Sequence, residues 1–154
     1  MPKGKGGRKK APAPAKPPDK SPPDPGRLPR ADSSHERMCW RFEHVDHEGP
    51  WGFARVSGQG LCDLLRKLRD FERMSVRELF HQSGGLAKSY DVEGLPNRHA
   101  RERLEHLRLA DQTRISRLRM NGPGRLYGFL DANVFHVVFW DPEHRIWPSR
   151  KKHT

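Results

Sequence analysis

Arg114-Ile-Ser-Arg-Leu-Arg-Met-Asn-Gly-Pro-Gly-Arg-Leu-Tyr-Gly-Phe-Leu-Asp-Ala-Asn-Val-Phe-His-Val-Val-Phe-Trp-Asp-Pro-Glu-His-Arg-Ile-Trp-Pro148 reads as three consecutive strands joined by two tight turns. Thr113 to Met120 alternates bulky and charged residues, and Asn121-Gly122-Pro123-Gly124 is a turn. Arg125 to Leu130 and Val134 to Trp140 follow as strands on either side of Asp131-Ala132-Asn133. A ribbon this apolar is a sheet core. It nevertheless carries Arg114, Arg117, Arg119 and Arg125, with Tyr127, His136 and His144 close by in sequence.

Strand periodicity sorts these residues. Ile115, Arg117 and Arg119 share one face, and Arg114, Ser116, Leu118 and Met120 the other. Arg117 and Arg119 thus project side by side, about 7 Å apart, a spacing that suits two phosphate oxygens. A two-residue turn at Ala132-Asn133 sets Asp131 opposite Val134 and Phe129 opposite His136. Arg125, Tyr127, His136 and Trp140 then share a face, and a slip of one residue would turn His136 away. The plainer reading of the same pattern is surface arginines on a sheet, a half-buried Tyr127 and a satisfied core histidine.

Upstream, Met38 to Asp46 alternates as a first strand with Trp40 and Phe42 on its apolar face, ended by Gly49-Pro50. Leu61, Leu64, Leu65, Leu68 and Phe71 fall on one stripe of a helix opening at Gly60. Ser75-Val-Arg-Glu78 is a capping box with Met74 and Leu79 at the staple positions, so a short second helix starts at Val76. Lys88 to Pro96 reads as a loop, and Asn97 caps a third helix over 98–109. A strand, a block of helices and then a meander argue an α+β fold with helices packed on an antiparallel sheet.

Composition divides the chain. Residues 1–30 hold nine of the 14 prolines and nine Lys or Arg against Asp19 and Asp24, a charge of +7. The rest carries 21 basic and 17 acidic residues, leaving +4 of the total +11. Such a tail buries too little apolar surface to order itself. Residues 1–34 are therefore expected to be a disordered basic tail, 35–149 one domain and 150–154 a basic end. The tail serves either as an electrostatic tether to nucleic acid or ribosome, or as a solubilising segment. It lacks the apolar run of a secretory signal, and no stretch is long and apolar enough to span a bilayer. A cytoplasmic protein without membrane contact is the expectation, with Cys39 and Cys62 as reduced, buried thiols.

Cofactor chemistry finds little footing in the sequence. His44-x-x-His47, beside Glu43 and Asp46, would point its two imidazoles to opposite faces of a strand, so no metal site is expected. Gly58-Gln-Gly60 is too short for a phosphate loop and lacks its lysine. No serine or cysteine nucleophile context appears.

The run Arg125-Leu-Tyr-Gly-Phe-Leu-Asp-Ala-Asn-Val-Phe-His-Val-Val-Phe-Trp-Asp-Pro-Glu-His144 resembles the C-terminal ribbon of the RelE/ParE-like toxins of bacterial type II toxin–antitoxin systems. It is also similar to uncharacterised proteins whose sheet ends in Asp-Pro-x-His. The resemblance covers residues 60–148 and implies a RelE-like fold. It implies, further, a toxin-type endoribonuclease that cleaves ribosome-bound messenger RNA without metal or cofactor and is neutralised by a cognate antitoxin. In that chemistry the ribose 2′-hydroxyl attacks the adjacent phosphate, which calls for a base, cations and an acid. By resemblance, Arg125 is the phosphate-binding arginine and His144 the acid, with Arg117 and Arg119 adding charge. Arg114, Tyr127, His136 and Trp147 would contact the nucleic acid. The position after His144, aromatic in the family, is Arg145 here, so Trp147 or Tyr127 would take over stacking. No base is evident; Glu43 and His136 are the nearest candidates. Two other readings use the same residues: a non-catalytic RNA- or DNA-binding module, and a gyrase-directed protein of the ParE style.

Overall fold

The computed structural model describes residues 33–82 and 84–149. The expectations for a tail over 1–34 and a basic end over 150–154 thus fall almost wholly outside the described residues. Ser33 and Ser34 belong to a short 3-10 turn, Ser33–His35.

Five strands form one sheet: β1 (Cys39–Arg41), β2 (Ala87–Asp91), β3 (Arg114–Arg119), β4 (Arg125–Asp131) and β5 (Val134–Asp141), in the order β1-β5-β4-β3-β2. Helix α1 (Gly58–Glu72), a π-helical segment (Glu78–Gln82) and helix α2 (Arg98–His106) complete an α+β fold. The β3–β4–β5 meander is the ribbon read from sequence.

Several expectations are corrected. The first strand is three residues long, because the chain turns at Phe42, whose carbonyl accepts the Val45 amide at 3.2 Å. It also runs parallel to β5, with Cys39 opposite Val134 and Arg41 opposite His136, so the sheet is mixed rather than antiparallel throughout. Residues 88–91, read as the start of a loop, form with Ala87 a strand antiparallel to β3, from Ala87 opposite Leu118 to Asp91 opposite Arg114. Ala, Lys, Ser and Asp are poor strand formers. Burial of Ala87 and a 2.7 Å bond between the Ser89 and Ser116 hydroxyls support the pairing instead. Finally, Cys39 and Cys62 are both exposed, not buried.

Both faces of the sheet are covered, which is why β4 is buried from Arg125 to Phe129 instead of alternating. On one face α1, the π segment and Val76 ahead of it bring Leu64, Leu68, Phe71, Val76 and Leu79 against Leu118, Leu126, Phe135 and Val137. On the other, α2 packs Ala100 and Leu104 with Leu95 and Ile146 against Ile115, Tyr127, Phe129, Val138 and Phe139. The α1 stripe is wider than this core accepts: Leu61 and Leu65 stay exposed.

The helix starts follow the sequence chemistry. Ser57 Oγ accepts the Gly60 amide at 3.0 Å, ahead of the expected start. The Ser75–Glu78 capping box closes both ways: the Ser75 amide donates to Glu78 at 2.7 Å and the Glu78 amide to Ser75 at 3.2 Å. Asn97 Oδ1 accepts the Ala100 amide, and α2 ends at His106 rather than 109.

The β4–β5 register begins as expected, with Asp131 opposite Val134 and Phe129 opposite His136. Between Tyr127 and Gly128 it shifts, so that Gly128 faces Val137 but Tyr127 faces Phe139. The extra residue, Val138, joins Phe139 in the α2-side core. Trp140 is thereby turned to the α1 side opposite Leu126, and it does not share a face with Arg125 and Tyr127 as expected. Gly128 permits the bulge, since a Cβ there would overlap the His136 carbonyl oxygen.

Candidate functional site

Strand register builds a row of cations at one end of the α2 side. Arg117 lies opposite Lys88 on one flank and Tyr127 on the other; Arg119 lies opposite Arg125, and Arg125 opposite Asp141. Like charges directly across a strand pair repel, so two such pairs side by side oppose the fold locally. No acidic side chain forms an ion pair with Arg117, Arg119 or Arg125 among the described residues. Arg66, Arg69, Arg98, Arg103, Arg114 and Arg145 each have one, while seven further arginines likewise form none among the described residues.

Each member of the row has a distinct position. Arg125 is buried, and its Nη1 donates to the carbonyls of Gly122 at 2.9 Å and Gly124 at 2.8 Å, pinning the β3–β4 turn. Burial, followed by the charges of Arg117 and Arg119, pulls its pKa down from the ordinary arginine value. Arg117 is half-buried, with its guanidinium 5.6 Å from the centre of the Tyr90 ring. Arg119 is exposed at the rim. Arg117 Nε, Arg125 Nε and the Tyr127 hydroxyl are buried without a hydrogen-bond partner among the described residues. Burial, then the Asp141 charge, holds the Tyr127 phenol well above its ordinary range, so it keeps its proton.

His144 closes the recess. It sits in the left-handed region, φ 58°, in the turn after β5. Asp141, fully buried, caps that turn: its two carboxylate oxygens accept the Arg145 amide at 2.9 Å and the Ile146 amide at 2.8 Å. Asn97 Nδ2 donates to the Arg145 carbonyl at 3.2 Å, tying the turn to the start of α2. The imidazole Nε2 stands 3.4 Å from Arg117 Nη1. Burial, then Arg125 and Arg117, lowers the His144 pKa, while Asp141 and the Trp147 backbone push back more weakly. The imidazole is therefore neutral at neutral pH. Arginine can only donate, so the Nε2 facing it is the acceptor and the proton belongs on Nδ1. A neutral imidazole here can accept a proton, whereas the resemblance implied that His144 is the acid.

Trp147 joins the group by stacking on Tyr90, with ring centroids 4.1 Å apart and planes 22° from parallel. The structure thus brings together Arg117, Arg119, Arg125, His144 and Trp147, over a Tyr127 too deeply buried to touch a ligand. Two predicted residues stay apart. Arg114 is exposed at the far end of β3 and paired with Asp91 at 3.1 Å. His136 lies four residues along the sheet, where its ring packs 5.7 Å from His44. Glu43, weighed as a base, is exposed in the turn after β1. His44 is spent on His136, and among the described residues no three His, Cys, Asp or Glu stand together as a metal ligand set.

Lys88 and Tyr90 were not among the predicted site residues. Their signal is the alternation that puts both on the face of Arg117, and it becomes readable only once β2 is known to be a strand. None of the helices among the described residues is long and apolar enough to cross a membrane. Compared with known proteins, the chain matches no family model, no curated protein and no solved structure.

Proposed function

We propose that the Arg117–Arg119–Arg125–His144 recess binds the phosphodiester backbone of RNA and cleaves it without a metal, as a toxin-type endoribonuclease of a type II toxin–antitoxin system acting on ribosome-bound messenger RNA. The observation that carries this reading is a neutral imidazole whose lone pair faces a cluster of arginines that form no ion pair among the described residues. An unanswered cation cluster calls for an anion, and phosphate oxygens suit guanidinium forks. Arg117 and Arg119 hold the phosphate oxygens, and Lys88 receives the next phosphate along the strand. His144 Nε2 takes the proton of the 2′-hydroxyl, whose oxygen attacks phosphorus. The arginines stabilise the added negative charge of the phosphorane. The P–O bond to the 5′-oxygen then breaks, leaving a 2′,3′-cyclic phosphate. Solvent protonates the 5′-oxygen, because Tyr127 is buried and both Asp141 oxygens are held by backbone amides.

The RelE-like assignment of the fold, a cytoplasmic location and a neutralising antitoxin belong to the same proposal. They rest on the resemblance of the β4–β5 ribbon. The test is incubation of the purified chain with RNA and with translating ribosomes in the presence of a chelator. Cleavage should leave cyclic phosphate ends, spare a substrate with a single 2′-deoxy sugar at the cut, and vanish in His144→Ala. Intact RNA under all these conditions rejects catalysis.

One observation favours a non-catalytic binding module instead. Arg125 Nη1 is already engaged by two turn carbonyls, so its part is to build the turn as much as to meet a ligand. In that case RNA is retained with a steep salt dependence, is never cut, and His144→Ala leaves affinity unchanged.

A further inference from the structure

A second cleft, of about 360 Å³, opens where β5 ends. Trp51, Trp140, Pro50 and Pro142 wall it. The Trp140 amide donates to the Trp51 carbonyl at 2.9 Å, which fixes the two tryptophans on adjacent segments. Glu143 and Arg145 line the cleft, whereas His144 between them reaches Arg117 instead. Glu143 and Arg145 pair with each other, and the buried Asp141 is taken up by two backbone amides. The remaining charged lining residue, Arg55, is exposed and forms no ion pair among the described residues. Walls of indole and proline rings suit a polyproline helix, which packs its own rings on aromatic faces and is already extended before it docks.

We propose that this cleft takes a stretch of the same chain, Pro17-Pro-Asp-Lys-Ser-Pro-Pro-Asp-Pro25. Composition, charge and reach select it. Five of the 14 prolines fall in these nine residues. Pro22 and Pro25 recur at the three-residue period of a polyproline helix, so they share one ridge to set on the tryptophans. Residues 1–16 hold six Lys or Arg and no acid, whereas 17–25 carry Asp19 and Asp24 against Lys20. Asp24, on the ridge beside Pro25, then meets the unpaired Arg55. A nucleic-acid backbone would select a surface of one sign, and this cleft has two carboxylates for its two guanidinium groups. Reach agrees. β1 begins beside Val134, the first residue of β5, and the cleft lies at Asp141, the last, about 23 Å further on by strand rise. Pro25 and Pro22 precede Ser33, the first described residue, by eight and eleven positions, or about 25 and 34 Å of polyproline helix. Docking leaves the cations of residues 1–16 beside the arginine recess. On the RNA reading above they lengthen its row of cations, but the docking itself stands apart from that reading.

The test is NMR of the full chain carrying Cys39→Ser, Cys62→Ser and Gly26→Cys, with a nitroxide on the one remaining thiol. The label should broaden the indole N–H signals of Trp51 and Trp140 more than those of Trp40 and Trp147. Asp24→Arg should weaken docking about fivefold, the size of one exposed ion pair, and adding Arg55→Asp should restore it. Pro22→Ala with Pro25→Ala should abolish the selective broadening. Arg55 is exposed and unpaired, so each of these chains should keep its circular dichroism spectrum. Nitroxide-bearing chains mixed with isotope-labelled chains lacking the nitroxide should leave the latter sharp. Equal broadening of the four indoles, selective broadening that survives the proline substitutions or Asp24→Arg, or failure of Arg55→Asp to restore it overturns the proposal. So does broadening passed between chains, which would assign the cleft to the tail of a second copy. No readout involves RNA.

Discussion

Two arginines on the α2 side of the sheet meet opposite fates. Arg103, on α2, reaches the buried Asp46 with two bonds, Nε at 2.8 Å and Nη2 at 2.7 Å. The pair is answered on both sides. Burial pushes the Asp46 carboxyl up, but the Arg103 bonds, the Gly49 and Glu48 amides and the Arg103 charge outweigh it, and the net shift is down. The Arg103 guanidinium in turn is held above its ordinary value, chiefly by the bond to Asp46. Arg125 is more deeply buried but bonds only carbonyl oxygens, and burial together with the charges of Arg117 and Arg119 outweighs the attraction of Asp141 and moves its pKa down. The first arrangement fastens the 46–52 loop to a helix. The second gathers three positive charges with only the Asp141 carboxylate, itself bound to two backbone amides, near enough to offset them, an arrangement that an arriving anion would stabilise.

The contrast can be broken from either side. The largest effect is expected from His144→Ala, which should lower RNA cleavage by about a thousandfold, as removal of a positioned proton acceptor does, with little change in thermal stability. Loss of fold instead of activity would place His144 with the structural pair. Next, Asp46→Asn should cost about 3 kcal/mol of unfolding free energy, because it leaves a half-buried guanidinium without its counter-charge. It should not alter RNA affinity per folded molecule, measured by titration well below the melting temperature. Third, Arg117→Ala with Arg119→Ala should weaken RNA binding and reduce the slope of log affinity against log salt by about 2. An unchanged slope would remove phosphate contact from the recess. The smallest effect is expected from Lys88→Thr, which relieves the like-charge pair with Arg117 and should stabilise the fold by a few tenths of a kcal/mol, by roughly the size of one cross-strand pair.

Acidity separates the two regions as well. With the His144 pKa lowered in the folded chain, the neutral imidazole persists below the ordinary histidine value. Cleavage should therefore hold steady from neutral pH down past that value and fall only at the lowered pKa. Over the same interval the unfolded chain binds a proton that the folded chain refuses, so acidification there reduces stability. The Asp46 contribution is untouched until pH falls below the ordinary aspartate range, because its folded pKa lies lower still.

Much of this was legible from residue order where local chemistry decides the outcome. The Ser75–Glu78 box, the Asn97 cap and the Ala132-Asn133 turn each depend on residues within four positions of one another. The facing of Arg117 and Arg119 follows from strand period alone. What the sequence hid depends on contacts between distant segments. Ala87–Asp91 becomes a strand because β3 offers an edge, and its placement brings Lys88 and Tyr90 to the site. The apolar positions of α1 show a stripe but not how much of it the sheet can cover, so Leu61 and Leu65 read as core. The partners of His144 lie on three strands and in a turn, and the lowering of its pKa comes from burial and then from Arg125 and Arg117, which no spacing near His144 reveals.

The irregularity in β5 has a consequence in parity. Beyond Val138 every side chain of the last strand occupies the side that an uninterrupted ladder would have given to its neighbour. Were the same residues paired without interruption, Trp140 instead of Asp141 would stand across from Arg125. The carboxylate that caps the final turn would point towards α1, and the imidazole would leave with it. Removing Val138 would restore a regular ladder and keep Asp141 across from Arg125, whereas closing the bulge at unchanged length would spare the composition of the site and dissolve its geometry.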